Sequence, residues 1–130
     1  MLRLLDTCFL IDLLRGDLGA VRVAEGLDGA ATTAVNVYEL FFGVEYGAGD
    51  RLGRRGEAAA LVERLEVLPL DVESAVSAAG LMSGLYRGGM SVYALDVFTA
   101  AIGLRHGCKT VVTRNTRHFE RFPGISVEVY

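Results

Sequence analysis

Five short segments of small or apolar residues, 2–6, 30–34, 67–70, 109–113 and 125–129, recur between stretches whose apolar residues fall at helical spacing. This alternation constrains the chain more than any other feature. A strand with one face in water alternates apolar and polar residues, whereas these segments have no polar face and need cover on both sides. Strands that alternate with helices build βαβ units, so the pattern predicts an α/β fold: a parallel sheet flanked by helices on both faces. Helices are expected over 7–15 (stopped by Gly16), 18–27, 36–46, 51–65, 72–86 with Asp71 as cap, and from about 95 to a stop at Gly107. The last strand is expected at a sheet edge. No repeat or linker interrupts the 130 residues, which suit one domain spanning 1–130.

Composition removes several alternatives. With 52% hydrophobic and 22% charged residues the chain is not disordered. Its longest uncharged run, 74–86, has 13 residues, short of the roughly 20 needed to cross a bilayer. Asp6 and Asp12 interrupt the apolar N-terminal region, which argues against a signal peptide and for a cytoplasmic protein. Cys8 and Cys108 are too few for a disulfide framework or a zinc site and are expected to be buried, reduced and inert. A net charge of −3 excludes nucleic-acid binding by bulk charge, yet Arg105, Lys109, Arg114, Arg117 and Arg121 face only Glu120 within one C-terminal stretch.

Open parallel sheets bind ligands at the carboxyl ends of their strands. Asp6 ends the first strand, Glu39 follows the second, Thr113, Arg114 and Asn115 end the fourth, and Asp96 heads the apolar helix that feeds it. A carboxylate in such surroundings is costly without compensation. Clustered carboxylates without lysine or cysteine suit a hard cation such as magnesium or manganese, which can hold a phosphodiester and acidify a water. Each acid also has a purely structural reading. Asn36 and Glu39 have the spacing of a capping box, Asp96 complements a helix dipole, and Asp6 could cap the helix after it. Asp12 is expected on an exposed stripe, Glu45 in solvent, and His118 at the surface near the crevice.

Three segments carry a resemblance: LLDTCFLIDLLRGD at the start, AVNVYELFFGVEYG in the middle and LDVFTAAIGLRHGCKTVVTRNTRHFERFPGISV at the end. Together they resemble the PIN domain and, more closely, the VapC toxins of toxin–antitoxin pairs. The resemblance implies a PIN-like domain with Mg2+- or Mn2+-dependent ribonuclease activity, a homodimer, and a cognate VapB-type antitoxin that fills the active-site groove. It implies Asp6 and Asp96 as metal ligands, Glu39 as a ligand or orienter of the attacking water, and Asn115 as support for the metal shell. Thr7, Thr113, Arg114 and Arg117 are implied on the RNA-binding side. Where members often carry a fourth acid, this chain has His118, which puts a second metal in doubt and leaves a degenerate binding module as the alternative. A receiver-like domain or an Asp-x-Asp phosphatase would need a second acid where Thr7 and Cys8 stand.

Overall fold

Every strand of the sheet runs parallel, in the order β3-β2-β1-β4-β5. In the computed structural model, which describes residues 2–130, β1 (Arg3–Leu5) leads into α1 (Thr7–Leu14) and α2 (Leu18–Glu25). β2 (Ala30–Thr33) leads into α3 (Ala34–Tyr46) and α4 (Arg51–Glu63), and β3 (Glu66–Leu68) into α5 (Val72–Arg87) and α6 (Ala94–Arg105). β4 (Thr110–Val112), the single turn α7 (Thr116–Phe119) and β5 (Ser126–Glu128) complete the chain order. β5 lies at an edge, as the sequence predicts.

Successive strand side chains point to opposite faces, which explains the absence of a polar face. Leu4 and Val111 enter the core beneath α5, α6 and α7, with Val97, Ile102 and Phe119. Leu5 and Val112 enter the other, beneath α1, α3 and α4, with Phe9, Leu10 and Leu40. Burying one such side chain contributes about 1.5–3 kcal/mol. Gly103 lets α6 lie close on the sheet, because a Cβ there would come within 2.6 Å of the Cys108 carbonyl oxygen.

Several boundaries differ from expectation. All five strands are shorter than expected, β1, β3, β4 and β5 to three residues each and β2 to four, and α2 and α4 each stop two residues early. Residues 116–119, for which no element is expected, form the single turn α7. Helix α3 starts at Ala34, two residues before Asn36, because the Thr33 hydroxyl accepts the Asn36 backbone N–H and is the cap. The capping-box reading of Asn36 and Glu39 therefore fails. Asp71 does cap α5, accepting the Ser74 N–H at 2.7 Å.

From β1 the chain moves outward through β2 to β3, then returns to the far side of β1 as β4. Such a reversal opens a crevice at the carboxyl ends of the two central strands. Asp6 and Thr113 stand there.

Candidate active site

Asp6 follows β1, its backbone N–H still bonded to the Val112 carbonyl of β4 at 3.1 Å, and occupies the cap position of α1, but its side chain makes no capping bond. The carboxylate turns instead across the crevice. Its Oδ2 accepts the Thr113 hydroxyl at 2.7 Å and its Oδ1 accepts the Asn36 amide at 3.2 Å. Asp6, Thr113 and Asn36 are all buried. Thr113 also accepts the Asn115 backbone N–H, which ties the loop after β4 to the carboxylate.

Glu39 lies one turn along α3 from Asn36, and three residues place both on one helix face. Its Oε1 accepts the Thr7 hydroxyl at 2.8 Å, and Thr7 accepts the second Asn36 amide hydrogen at 3.0 Å. Burial pushes the Glu39 carboxyl above its usual range, the Thr7 bond opposes this, and the charges of Asp6 and Asp96 push it further up. Asp96, in the first turn of α6, is buried and also raised, first by burial; the His118 contact opposes the shift and the Asp6 charge adds to it. His118 Nδ1 lies 2.8 Å from Asp96 Oδ2. His118 thus belongs to the site wall rather than to an unrelated surface.

The other candidates divide. Asn115 and Arg117 are exposed at the start of α7, on the rim. Thr113 has no exposure and holds Asp6 rather than facing solvent. Arg114 turns away from the carboxylates. Its guanidinium pairs with Asp12 at 3.5 Å and Asp17 at 3.2 Å and stacks on the Tyr130 ring. Asp12 is therefore not on an exposed stripe: its side chain is 19% exposed and accepts the Tyr130 hydroxyl at 2.7 Å. Glu45 is ion-paired with Arg55. Cys108 is buried as expected, its thiol pushed up to about 11 by burial, but Cys8 is only half-buried and lies 3.5 Å from Asp6 Oδ2. Sequence reasoning missed Asn36 as a site residue. The available signal was its position three residues before Glu39, which was read as a helix start.

The carboxylate oxygens of Asp6, Glu39 and Asp96, the first of which raises the proton affinity of the other two, are of the chemical kind that suits a hard cation, and the amide beside them presents its NH2 group rather than its oxygen. In this arrangement each carboxylate is turned to its own hydrogen-bond donor. Among the described residues no three His, Cys, Asp or Glu side chains are grouped to share one ion.

A family model for the PIN domain matches residues 3–125. The tRNA(fMet)-specific endonuclease VapC of Salmonella typhimurium is 31% identical over 96 residues, covering 74% of this chain and 71% of that protein. The DNA-bound VapBC structure from Salmonella typhimurium superposes with a TM-score of 0.86 at 27% identity, covering 99% of this chain and 98% of that one. VapBC2 from Rickettsia felis, bound to a promoter DNA fragment, gives a TM-score of 0.90 over 100% of this chain and 99% of that one. At 19% identity the latter is a likeness of fold.

Proposed function

The chain belongs to the PIN-domain family, in its VapC branch, and we propose that it is a metal-dependent endoribonuclease acting as the toxin of a toxin–antitoxin pair. The observation that carries this reading is the convergence of Asp6, Glu39 and Asp96, three carboxylates from three separate segments. The charges that act on Glu39 there are negative ones. Asp6 and Asp96 would hold Mg2+ or Mn2+, with Glu39 as a further ligand or as the acceptor that orients the attacking water. When bound, the ion supplies positive charge to the phosphodiester and acidifies a water. The chain's own residues do the positioning: Thr113 and Asn36 aim Asp6, Thr7 aims Glu39, and His118 fixes one oxygen of Asp96. Asn115 and Arg117, exposed on the rim, face the RNA. Thr7 and Thr113 support that side from beneath through Glu39 and Asp6, whereas Arg114 is engaged with Asp12 and Asp17.

The partner is a VapB-type antitoxin, in keeping with the VapBC complexes that share this fold, and the site of action is the cytoplasm, where RNA is available. No helix among the described residues is long and apolar enough to cross a membrane. The protein itself pairs as a homodimer. Val72 and Val76 on α5 are 79% and 68% exposed, and Tyr38, Phe42 and Tyr46 form an exposed aromatic row on α3. Val76→Glu is expected to shift the mass in light scattering from dimer to monomer.

Manganese titration tests the catalytic reading. The metal-free protein should gain thermal stability with Mn2+, by about 2.7 kcal/mol at 100 times the dissociation constant. It should cleave RNA only with the ion, and lose both effects with a chelator. A second reading keeps the fold without the chemistry, favoured by the histidine at position 118 and by each carboxylate being turned to its own donor. A degenerate module of that kind would respond to neither ion nor chelator.

A further inference from the structure

Asn36 is fully buried, and its amide oxygen and both amide hydrogens are engaged. The oxygen accepts the Thr33 hydroxyl at 2.7 Å, while the Thr99 hydroxyl of α6, 3.5 Å away, gives its one hydrogen to the Leu95 carbonyl at 3.0 Å. The orientation this imposes leaves both amide hydrogens for the crevice. One goes to Asp6 Oδ1 at 3.2 Å, the other to Thr7 Oγ1 at 3.0 Å. Thr7 then has one hydrogen to give, and gives it to Glu39 at 2.8 Å. A single NH2 group therefore reaches two carboxylates, Asp6 directly and Glu39 through one hydroxyl.

Helix capping does not account for this. Thr33 already caps α3 through its own side chain, so the Asn36 amide is free for a task beyond the helix start. Nor does charge compensation, because an amide orients a carboxylate without cancelling its charge. What the relay does is hold two like-charged groups from different elements, the exit of β1 and the second turn of α3, at one separation. Hydrogen bonds behind metal-binding groups commonly set affinity in this way.

We propose that Asn36 is a positioning residue that sets the register of Asp6 and Glu39 for a divalent cation, directly for Asp6 and through Thr7 for Glu39. This rests on the reading of these carboxylates as the cation site given above. The probe is Mn2+ alone, measured by calorimetry on the full chain. Asn36→Ala should weaken Mn2+ binding by about 10–100-fold. Thr7→Val should weaken it less, and adding Thr7→Val to Asn36→Ala should cost little more, because both remove the same relay. Thr7→Ser, which keeps the hydroxyl, should restore wild-type affinity. A folded Asn36→Ala protein with wild-type Mn2+ affinity overturns the proposal. If that variant does not fold, equal affinity for Thr7→Val and Thr7→Ser overturns it instead. A wild-type protein that takes up no Mn2+ overturns the catalytic reading and this proposal together, whereas Mn2+ uptake by wild type with unchanged affinity in Asn36→Ala overturns this proposal and leaves the catalytic reading standing.

Discussion

Two groups of acids lie on either side of α1, and they are held in opposite ways. At its start, Asp6 is held by Thr113 and Asn36, and Glu39 by Thr7, all neutral donors. Near its end, Asp12 and Asp17 share the Arg114 guanidinium, with the Tyr130 hydroxyl on Asp12 and the Tyr130 ring beneath the arginine at 4.7 Å. Neutral donors fix direction and leave the charge in place; a guanidinium removes the need for any other cation. The second group is thus complete, and on the proposed reading the first takes its positive partner from outside the chain. Asp17 shows the completion directly: its carboxyl is held low, first by the Ala20 N–H it caps, with Arg114 adding to the effect against burial. Glu39 and Asp96 move the other way.

Charge removal should separate the two groups most sharply. Asp6→Asn should lower RNA cleavage by more than about 100-fold, exceeding the loss of an outer-shell partner. The same change should raise the melting temperature of the metal-free protein, since it relieves Glu39 and Asp96. Unchanged cleavage in a folded variant would remove Asp6 from the chemistry.

The pH dependence is the next effect in size. Glu39 and Asp96 titrate higher in the folded than in the unfolded chain, so their protonated forms favour folding. That contribution is fully present below the ordinary carboxylate range and is lost as the pH rises through their raised values. Without metal, wild type should therefore lose stability relative to Glu39→Gln as the pH rises from about 4 toward neutrality. Thermal melts of the two proteins across that range check it, and a constant difference would count against an uncompensated Glu39.

Tyr130→Phe probes the completed group. Loss of the bond to Asp12 should cost about 1 kcal/mol of stability in a denaturant melt and leave RNA cleavage intact. The smallest effect concerns the thiols. At pH 8 a small alkylating reagent should label Cys8 first and Cys108 only on unfolding, because Cys108 is 1% exposed and its thiol titrates near 11. Mass spectrometry of the labelled peptides reads the order.

Apolar periodicity was a good guide wherever a helix or strand buries a face, as in α6 or β1, because burial and spacing are one property seen twice. It failed at helix ends and at the polar contacts. Asn36 carries the spacing of a capping box, yet Thr33 takes the cap and frees Asn36 for Asp6, and no local pattern distinguishes the two. The resemblance puts Thr113 and its neighbour Arg114 together on the substrate side; Thr113 turns inward to Asp6 and Arg114 toward Asp12, Asp17 and Tyr130.

By itself the sequence determined the parallel α/β architecture, the order of its elements and the three acids that reach one sheet edge, since these depend on periodicity and on strand ends. Only the tertiary structure decided which acids meet a cation and which meet neutral donors. Hydrogen bonds and ion pairs form between residues far apart in the chain, as Asp6 with Thr113 and Asp12 with Tyr130 do, and which of these form depends on the packing of whole elements.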